Sequence, residues 1–199
     1  MLARDNPFRA ERIETLRYRL DATGWSDLLR RFAAQGHRGV LVGPHGSGKT
    51  TLREELERRL AGNGWRVHAV VLGADRAASL VGLIALAGRL GAGDLLSIDG
   101  LDRLAPWSWW RLRLTIRHVG ALLATSHHHG RLPLLHGHRT SPALLCELVG
   151  DLLGGECTGE LSARCDLLFR ERDGDLRACL RQLYDEADSW ERGFQPNAV

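Results

Sequence analysis

Eight consecutive residues, Gly43-Pro44-His45-Gly46-Ser47-Gly48-Lys49-Thr50, fit the pattern G-x-x-x-x-G-K-[ST] at every fixed position. Lys49 is the only lysine of the chain, which otherwise uses arginine for fixed positive charge. Retaining a single ammonium at this one place points to a need for a compact point charge. A glycine turn of this kind aims successive main-chain N–H groups at one point, and side chains at 43, 46 and 48 would block an anion's approach. A helix starting behind the turn adds its positive N-terminal end. The chemistry on offer is the grip of a nucleoside triphosphate by residues 43–51 (Thr51 included), with Lys49 on the terminal phosphates and the Thr50 hydroxyl on Mg²⁺. The competing reading is a glycine turn that caps a helix beside an incidental lysine.

Asp99 is the second candidate. It closes the apolar run Leu95-Leu96-Ser97-Ile98. A carboxylate at the C-terminal edge of a parallel sheet faces the crevice where ligands bind, and there it would hold Mg²⁺ opposite Thr50. Otherwise it is a turn or capping residue before Gly100.

The elements that must position these residues follow from the apolar pattern. Val40-Leu41-Val42 leads straight into the glycine turn and reads as a buried parallel strand. Leu52, Leu56 and Leu60 recur every fourth residue behind it, with Glu54 and Glu55 four residues before Arg58 and Arg59, a helix that Gly62-Asn63-Gly64 stops. Further strands are expected at 65–72, 95–99, 120–125 and 132–135. A helix apolar on most faces, and so buried, is expected at 77–90. Residues 107–117 alternate like a strand, yet two parallel strands in one sheet need a crossover between them, so a helix is expected there. Only about six residues separate the last two strand candidates, which is short for a parallel crossover. Upstream, 9–34 reads as one or two helices broken at Thr23-Gly24. Three helices follow Pro142, with breaks at Gly154-Gly155 and Asp173-Gly174. The expected organisation is a helical segment over 1–38, a nucleotide-binding core over 39–140, a helical lid over 141–190 and a loose tail over 191–199. Strands alternating with helices make this an α/β fold: three layers, a parallel sheet flanked by helices, plus a small C-terminal helical lid.

With 199 residues, 44% hydrophobic and 26% charged, the balance is that of a globular protein, and a net charge of +3 neither demands nor excludes a nucleic-acid partner. Cys146, Cys157, Cys165 and Cys179 show no C-x-x-C spacing and read as reduced thiols. The N-terminus carries Arg4, Asp5 and Pro7 and no apolar core, so no signal peptide is expected there. The longest apolar stretch, 79–88, is too short for a membrane span, and a cytoplasmic location is expected. His127-His128-His129, His136 and His138 make a histidine-rich stretch without the spacing of a built metal site. Trp107, Trp109 and Trp110 are either a partner-binding patch or the apolar edge of the crossover helix.

Leu95-Leu96-Ser97-Ile98-Asp99-Gly100-Leu101-Asp102-Arg103-Leu104, together with the glycine turn, resembles the second nucleotide motif of AAA+-like and STAND-type ATPases. Asp-Gly-Leu-Asp is similar to the NACHT branch and Leu-Asp-Arg to the KAP branch. Many members carry glutamate directly after the first aspartate, where this chain has Gly100. The resemblance implies that Asp102 orients the attacking water, and the missing acid at 100 implies slow or absent hydrolysis. The alternative for Asp102 is a surface helix cap. Leu122-Leu123-Ala124-Thr125-Ser126-His127 resembles the sensor strand of the same superfamily, with His127 in the place of an arginine that reports the terminal phosphate; the alternative is a polar residue that simply ends a strand. Asp173-Gly174-Asp175-Leu176-Arg177 resembles the start of the AAA+ lid helix, which makes Arg177 the arginine that touches the phosphates. An ordinary helix start would look the same. Asn6-Pro7-Phe8 is placed by the same resemblance near the nucleotide base.

The function implied is an ATP·Mg²⁺-binding ATPase domain that couples binding or slow hydrolysis to movement of a helical lid or of a partner, with a protein partner and self-association both open. The alternatives are a small-molecule or nucleotide kinase, for which Arg131 and Arg139 would serve a lid, and an ATP-sensing scaffold that does not hydrolyse.

Overall fold

Every strand of the sheet is parallel to its neighbours, and the order is β2-β3-β4-β1-β5. A computed structural model describes residues 6–16, 18, 20–73 and 76–190. The elements are α1 (Ala10–Thr15), α2 (Ala22–Ala34), β1 (Arg38–Val42), α3 (Lys49–Gly62), β2 (Arg66–Val71), α4 (Arg76–Ala87), β3 (Asp94–Asp99), α5 (Pro106–Thr115), β4 (Ala121–Ser126), β5 (Leu134–Gly137), α6 (Pro142–Leu153), α7 (Gly159–Glu171) and α8 (Leu176–Trp190). Short 3₁₀ turns, Leu101–Arg103 and Ile116–His118, flank α5. The expected tail over 191–199 lies outside the described residues.

The chain divides into two compact units. One, the sheet unit, takes Tyr18–Gly43 and Gly48–His138; the other, the helical unit, takes the segment before Tyr18, Pro44–Ser47 and the segment from Arg139 onward.

In the sheet unit, strand alternation sorts side chains into two cores. Val40 and Val42 of β1, Leu96 and Ile98 of β3, and Leu122 and Ala124 of β4 pack with Leu80, Leu83 and Ala87 of α4 and Leu112 of α5. Leu41, Leu95, Ala121 and Leu123 point the other way and pack with Trp25, Leu28 and Phe32 of α2 and Leu52, Leu56 and Leu60 of α3. That is the period of two working on a sheet covered on both faces. Each fully buried leucine contributes about 1.5–3 kcal/mol relative to exposure. Residues 99 and 125 fall on the α3 face by the same count.

Four details differ from the sequence expectation or resolve it. Thr23-Gly24 does not break a helix. α2 instead begins at Ala22 and runs through them, and Asp21 caps it by accepting a hydrogen bond from Gly24 N at 2.7 Å. The 107–117 segment is helical, as expected: Leu112 is buried and Trp109 packs on the core, while Trp107 and Trp110 face outward. α4 is not buried all round. Val81 is 70% exposed, because an outer-layer helix has only one side against the sheet. Finally, β5 exists despite its short approach. Leu134 pairs at the level of Val40, and so does Ala124 of β4. The link from β4 therefore retreats by only about two residues' rise before stepping across β1, well inside the reach of seven extended residues, about 23–25 Å.

In the helical unit, Leu145, Val149 and Leu152 of α6, Leu161, Cys165 and Leu168 of α7, and Cys179, Leu180 and Leu183 of α8 form one core with Phe8. Ser141 caps α6 by accepting from Leu144 N at 3.1 Å, and Gly154 closes it in the left-handed conformation, φ 72°. All four cysteines are free thiols.

Candidate functional site

β1 delivers the chain to Gly43 at the C-terminal edge of the sheet, and α3 begins at Lys49 behind Gly48, which is left-handed at φ 84°. Glycine adopts that conformation without the penalty of roughly 1–2 kcal/mol that other residues meet. The Lys49 ammonium donates to the Gly43 carbonyl at 2.8 Å. His127 Nδ1 approaches the same carbonyl at 3.2 Å. The candidate cation and the candidate sensor thus converge on the first residue of the glycine turn, within one unit.

The Thr50 hydroxyl donates to Asp99 Oδ2 at 3.3 Å. The other carboxylate oxygen, Oδ1, accepts from the Thr125 hydroxyl, and Thr125 Oγ1 in turn accepts from Gly100 N at 2.9 Å. Ile98 pairs with Ala124, so the next residues along, Asp99 and Thr125, are neighbours on the α3 face. A buried threonine therefore fixes how Asp99 presents its second oxygen to Thr50. Hard oxygen donors of this kind suit Mg²⁺, and two adjacent ligands of an octahedral Mg²⁺ stand about 2.9 Å apart. The Thr50–Asp99 pair fits such an ion in both chemistry and spacing.

Asp102 accepts from His127 N at 3.3 Å, so it ties the 3₁₀ turn to the end of β4. Arg131 donates to the carbonyls of Leu101 and Leu104, at 2.6 and 2.5 Å. Burial lowers its pKa and the nearby Asp102 carboxylate opposes that shift. Gly100 is left-handed at φ 83°, and a Cβ there would lie 3.2 Å from the Arg103 side chain. The position directly after Asp99 thus favours a residue without a side chain.

Pro44–Ser47 belong to the helical unit, and their neighbour there is the start of α8. A Cβ on Gly46, itself left-handed at φ 64°, would lie 1.9 Å from Asp175 Oδ1 and 2.9 Å from Arg177 N. Asp175 Oδ1 accepts from Ala178 N at 2.9 Å and so caps α8. The turn's middle glycine therefore abuts the backbone of Arg177. The Arg177 side chain lines a cleft of about 970 Å³ together with Phe8, Arg9, Arg181 and Tyr184. Asn6 anchors the entry of the N-terminal segment: its Nδ2 donates to Tyr184 O at 2.9 Å, and its Oδ1 accepts from Phe8 N at 2.9 Å.

Three contributors escaped the sequence reading. Thr125 was legible in principle, since strand register places it beside Asp99. Asp175 was read only as part of a helix start. Tyr18 gave no signal: its ring lies 3.5 Å from where a Gly48 Cβ would be, and its hydroxyl reaches His136 Nε2 at 2.9 Å and His138 Nδ1 at 3.3 Å. Burial pushes the Tyr18 phenol up to about 12. His136 and His138 are thus turned toward Tyr18 and pack edge-on against it and each other.

No protein-family model matches this chain, and no curated protein matches it. Solved structures do. The Holliday junction branch migration motor RuvB of Thermotoga maritima superposes with a TM-score of 0.54 at 18% identity, covering 85% of this chain and 63% of that one. A point-substituted form of the same protein gives a TM-score of 0.59 at 20% identity, covering 84% and 61%. A DNA replication initiation factor gives 0.54 at 13% identity, covering 90% and 67%. The chain thus spans about three-fifths of the length of the RuvB chains it matches. Among the described residues, no helix is long and apolar enough to cross a membrane. The fold is that of the P-loop NTPases, with structural similarity to AAA+ ATPases at low sequence identity.

Proposed function

We propose that this chain is an AAA+-like ATPase module that binds ATP·Mg²⁺ on residues 43–51 and hydrolyses it slowly. The observation that carries the reading is the Thr50–Asp99–Thr125 chain of hydrogen bonds directly behind the glycine turn. Main-chain amides of the turn and Lys49 hold the phosphates, and Lys49 leaves the Gly43 carbonyl to do so. Thr50 and Asp99 hold Mg²⁺, which when bound neutralises charge on the phosphate oxygens. Asp102 orients water, and His127 and Arg177 report the terminal phosphate. The contact of Gly46 with the start of α8 supports a link from phosphate binding to the C-terminal helices.

Calorimetry with Mg·ATP tests this. Wild-type protein binds one nucleotide per chain, Lys49→Ala loses most of the affinity, and Asp99→Asn loses the Mg²⁺ dependence. Wild-type binding by both variants would remove the turn and Asp99 from the site.

One observation favours the second reading, an ATP sensor without turnover. Asp102, the carboxylate proposed to orient water, is held to the His127 amide. Turnover no faster in wild type than in Asp102→Asn decides for the sensor. The kinase reading loses one of its two arginines, because Arg131 is engaged with the Leu101 and Leu104 carbonyls.

A further inference from the structure

All four cysteines of the chain lie in the helical unit, and three of them meet at one point. Cys146 comes from α6, Cys157 from the link after it, and Cys165 from α7. Their Sγ atoms all lie within 4.8 Å of one another. Cys157 and Cys165 Sγ are 3.8 Å apart, and Cys146 Sγ donates to the Cys157 carbonyl at 3.2 Å. Sulfurs bound tetrahedrally to zinc at about 2.3 Å stand about 3.8 Å from each other.

The backbone is shaped to bring these thiols together. Gly154 ends α6 in the left-handed conformation, and Gly155 N donates back to Gly150 O at 3.0 Å. A Cβ on Gly150 would lie 2.6 Å from Gly155 O and 3.6 Å from Cys157 N. Only glycine at 150 lets the link fold down on α6, one helical turn from Cys146, and set Cys157 over it. Cys165 is fully buried, while Cys146 and Cys157 are half-buried and leave a way in from solvent.

We propose that Cys146, Cys157 and Cys165 form a three-thiolate site for one soft divalent ion of the zinc class, with the fourth position taken by water. Binding converts three thiols to thiolates and releases three protons to solvent. The ion would cross-link α6, its following link and α7 independently of any nucleotide.

The test uses the reduced full chain titrated with Cd²⁺, followed by competition with Zn²⁺. The expected result is a thiolate-to-metal charge-transfer band that saturates at one ion per chain and is displaced by Zn²⁺, with a rise in melting temperature. Cys157→Ser and Cys146→Ser, both at half-buried positions, each weaken binding at least about tenfold. Cys179→Ala leaves the band intact. Metal bound without the band places it on the histidine-rich stretch and overturns the proposal. So does a Cys157→Ser variant that binds with wild-type affinity, a Cys179→Ala variant that weakens binding as much as Cys157→Ser does, or no binding at all.

Discussion

Thr125 decides which way the Asp99 carboxylate faces. Its hydroxyl donates to one oxygen and accepts from Gly100 N, which leaves the other oxygen toward Thr50. A hydrogen bond to a charged group of this kind contributes about 1.5–3 kcal/mol. Thr125→Val keeps the shape and removes the hydroxyl. It is expected to weaken Mg²⁺-dependent ATP binding about tenfold or more while leaving Mg²⁺-free binding close to wild type, and Thr125→Ser is expected to restore it. Calorimetry at several Mg²⁺ concentrations makes the measurement, and equal losses with and without Mg²⁺ would show that Thr125 supports only the fold. Gly100 carries a related lesson. At its left-handed φ any side chain is strained, and a Cβ would crowd the Arg103 side chain. In the proposed function the water-orienting group comes from another position; with Asp99 assigned to Mg²⁺, the next carboxylate in sequence is Asp102.

At the scale of elements, the N-terminal end of β3 is tied to its neighbour β2 by Asp94, the first residue of β3. It accepts from Arg66 Nε and His68 Nε2, each at 2.9 Å, and from Gly91 N. These donors hold its carboxyl well below the usual carboxylate range, the Arg66 hydrogen bond being the largest cause. Because the folded pKa is depressed, the stabilisation is present above the unfolded value near 3.8 and is lost as pH falls through the folded value. Asp94→Asn is therefore expected to melt lower than wild type at pH 7, with the gap closing as the pH is taken below about 4. Thermal melts across that range check it, and a constant gap would assign the effect to packing. Much at this scale was legible from sequence. Alternating β and α periods led to the parallel sheet, and the apolar run before the glycine turn placed β1. What escaped were features set by neighbours distant in sequence. Asp21 overrode the breaker signal of Thr23-Gly24 with a cap. The pairing of Leu134 at the level of Val40 made a short link to β5 sufficient. Thr125 met Asp99 through strand register, and the three thiols met through a fold-back at Gly150 that no sequence spacing announces.

For the whole molecule, the proposed function carries a thermodynamic signature that needs no knowledge of a partner. A ligand that binds only folded protein stabilises it by RT ln(1 + [L]/Kd), about 2.7 kcal/mol at a hundredfold excess over Kd. In a chain of 199 residues, each kcal/mol moves the melting temperature by about 2–4 °C. Saturating Mg·ATP is therefore expected to raise the melting temperature of the wild type by about 5–10 °C. Lys49→Ala, compared with its own melting temperature without nucleotide, is expected to show no such rise. The two compact units give the scan further resolution. If they melt separately, the transition of the unit that holds Lys49, Thr50 and Asp99 is the one that must move. A shift of equal size in Lys49→Ala, or none in either protein, would place the nucleotide elsewhere or remove it, and the three-layer sheet would then be a P-loop fold put to another use.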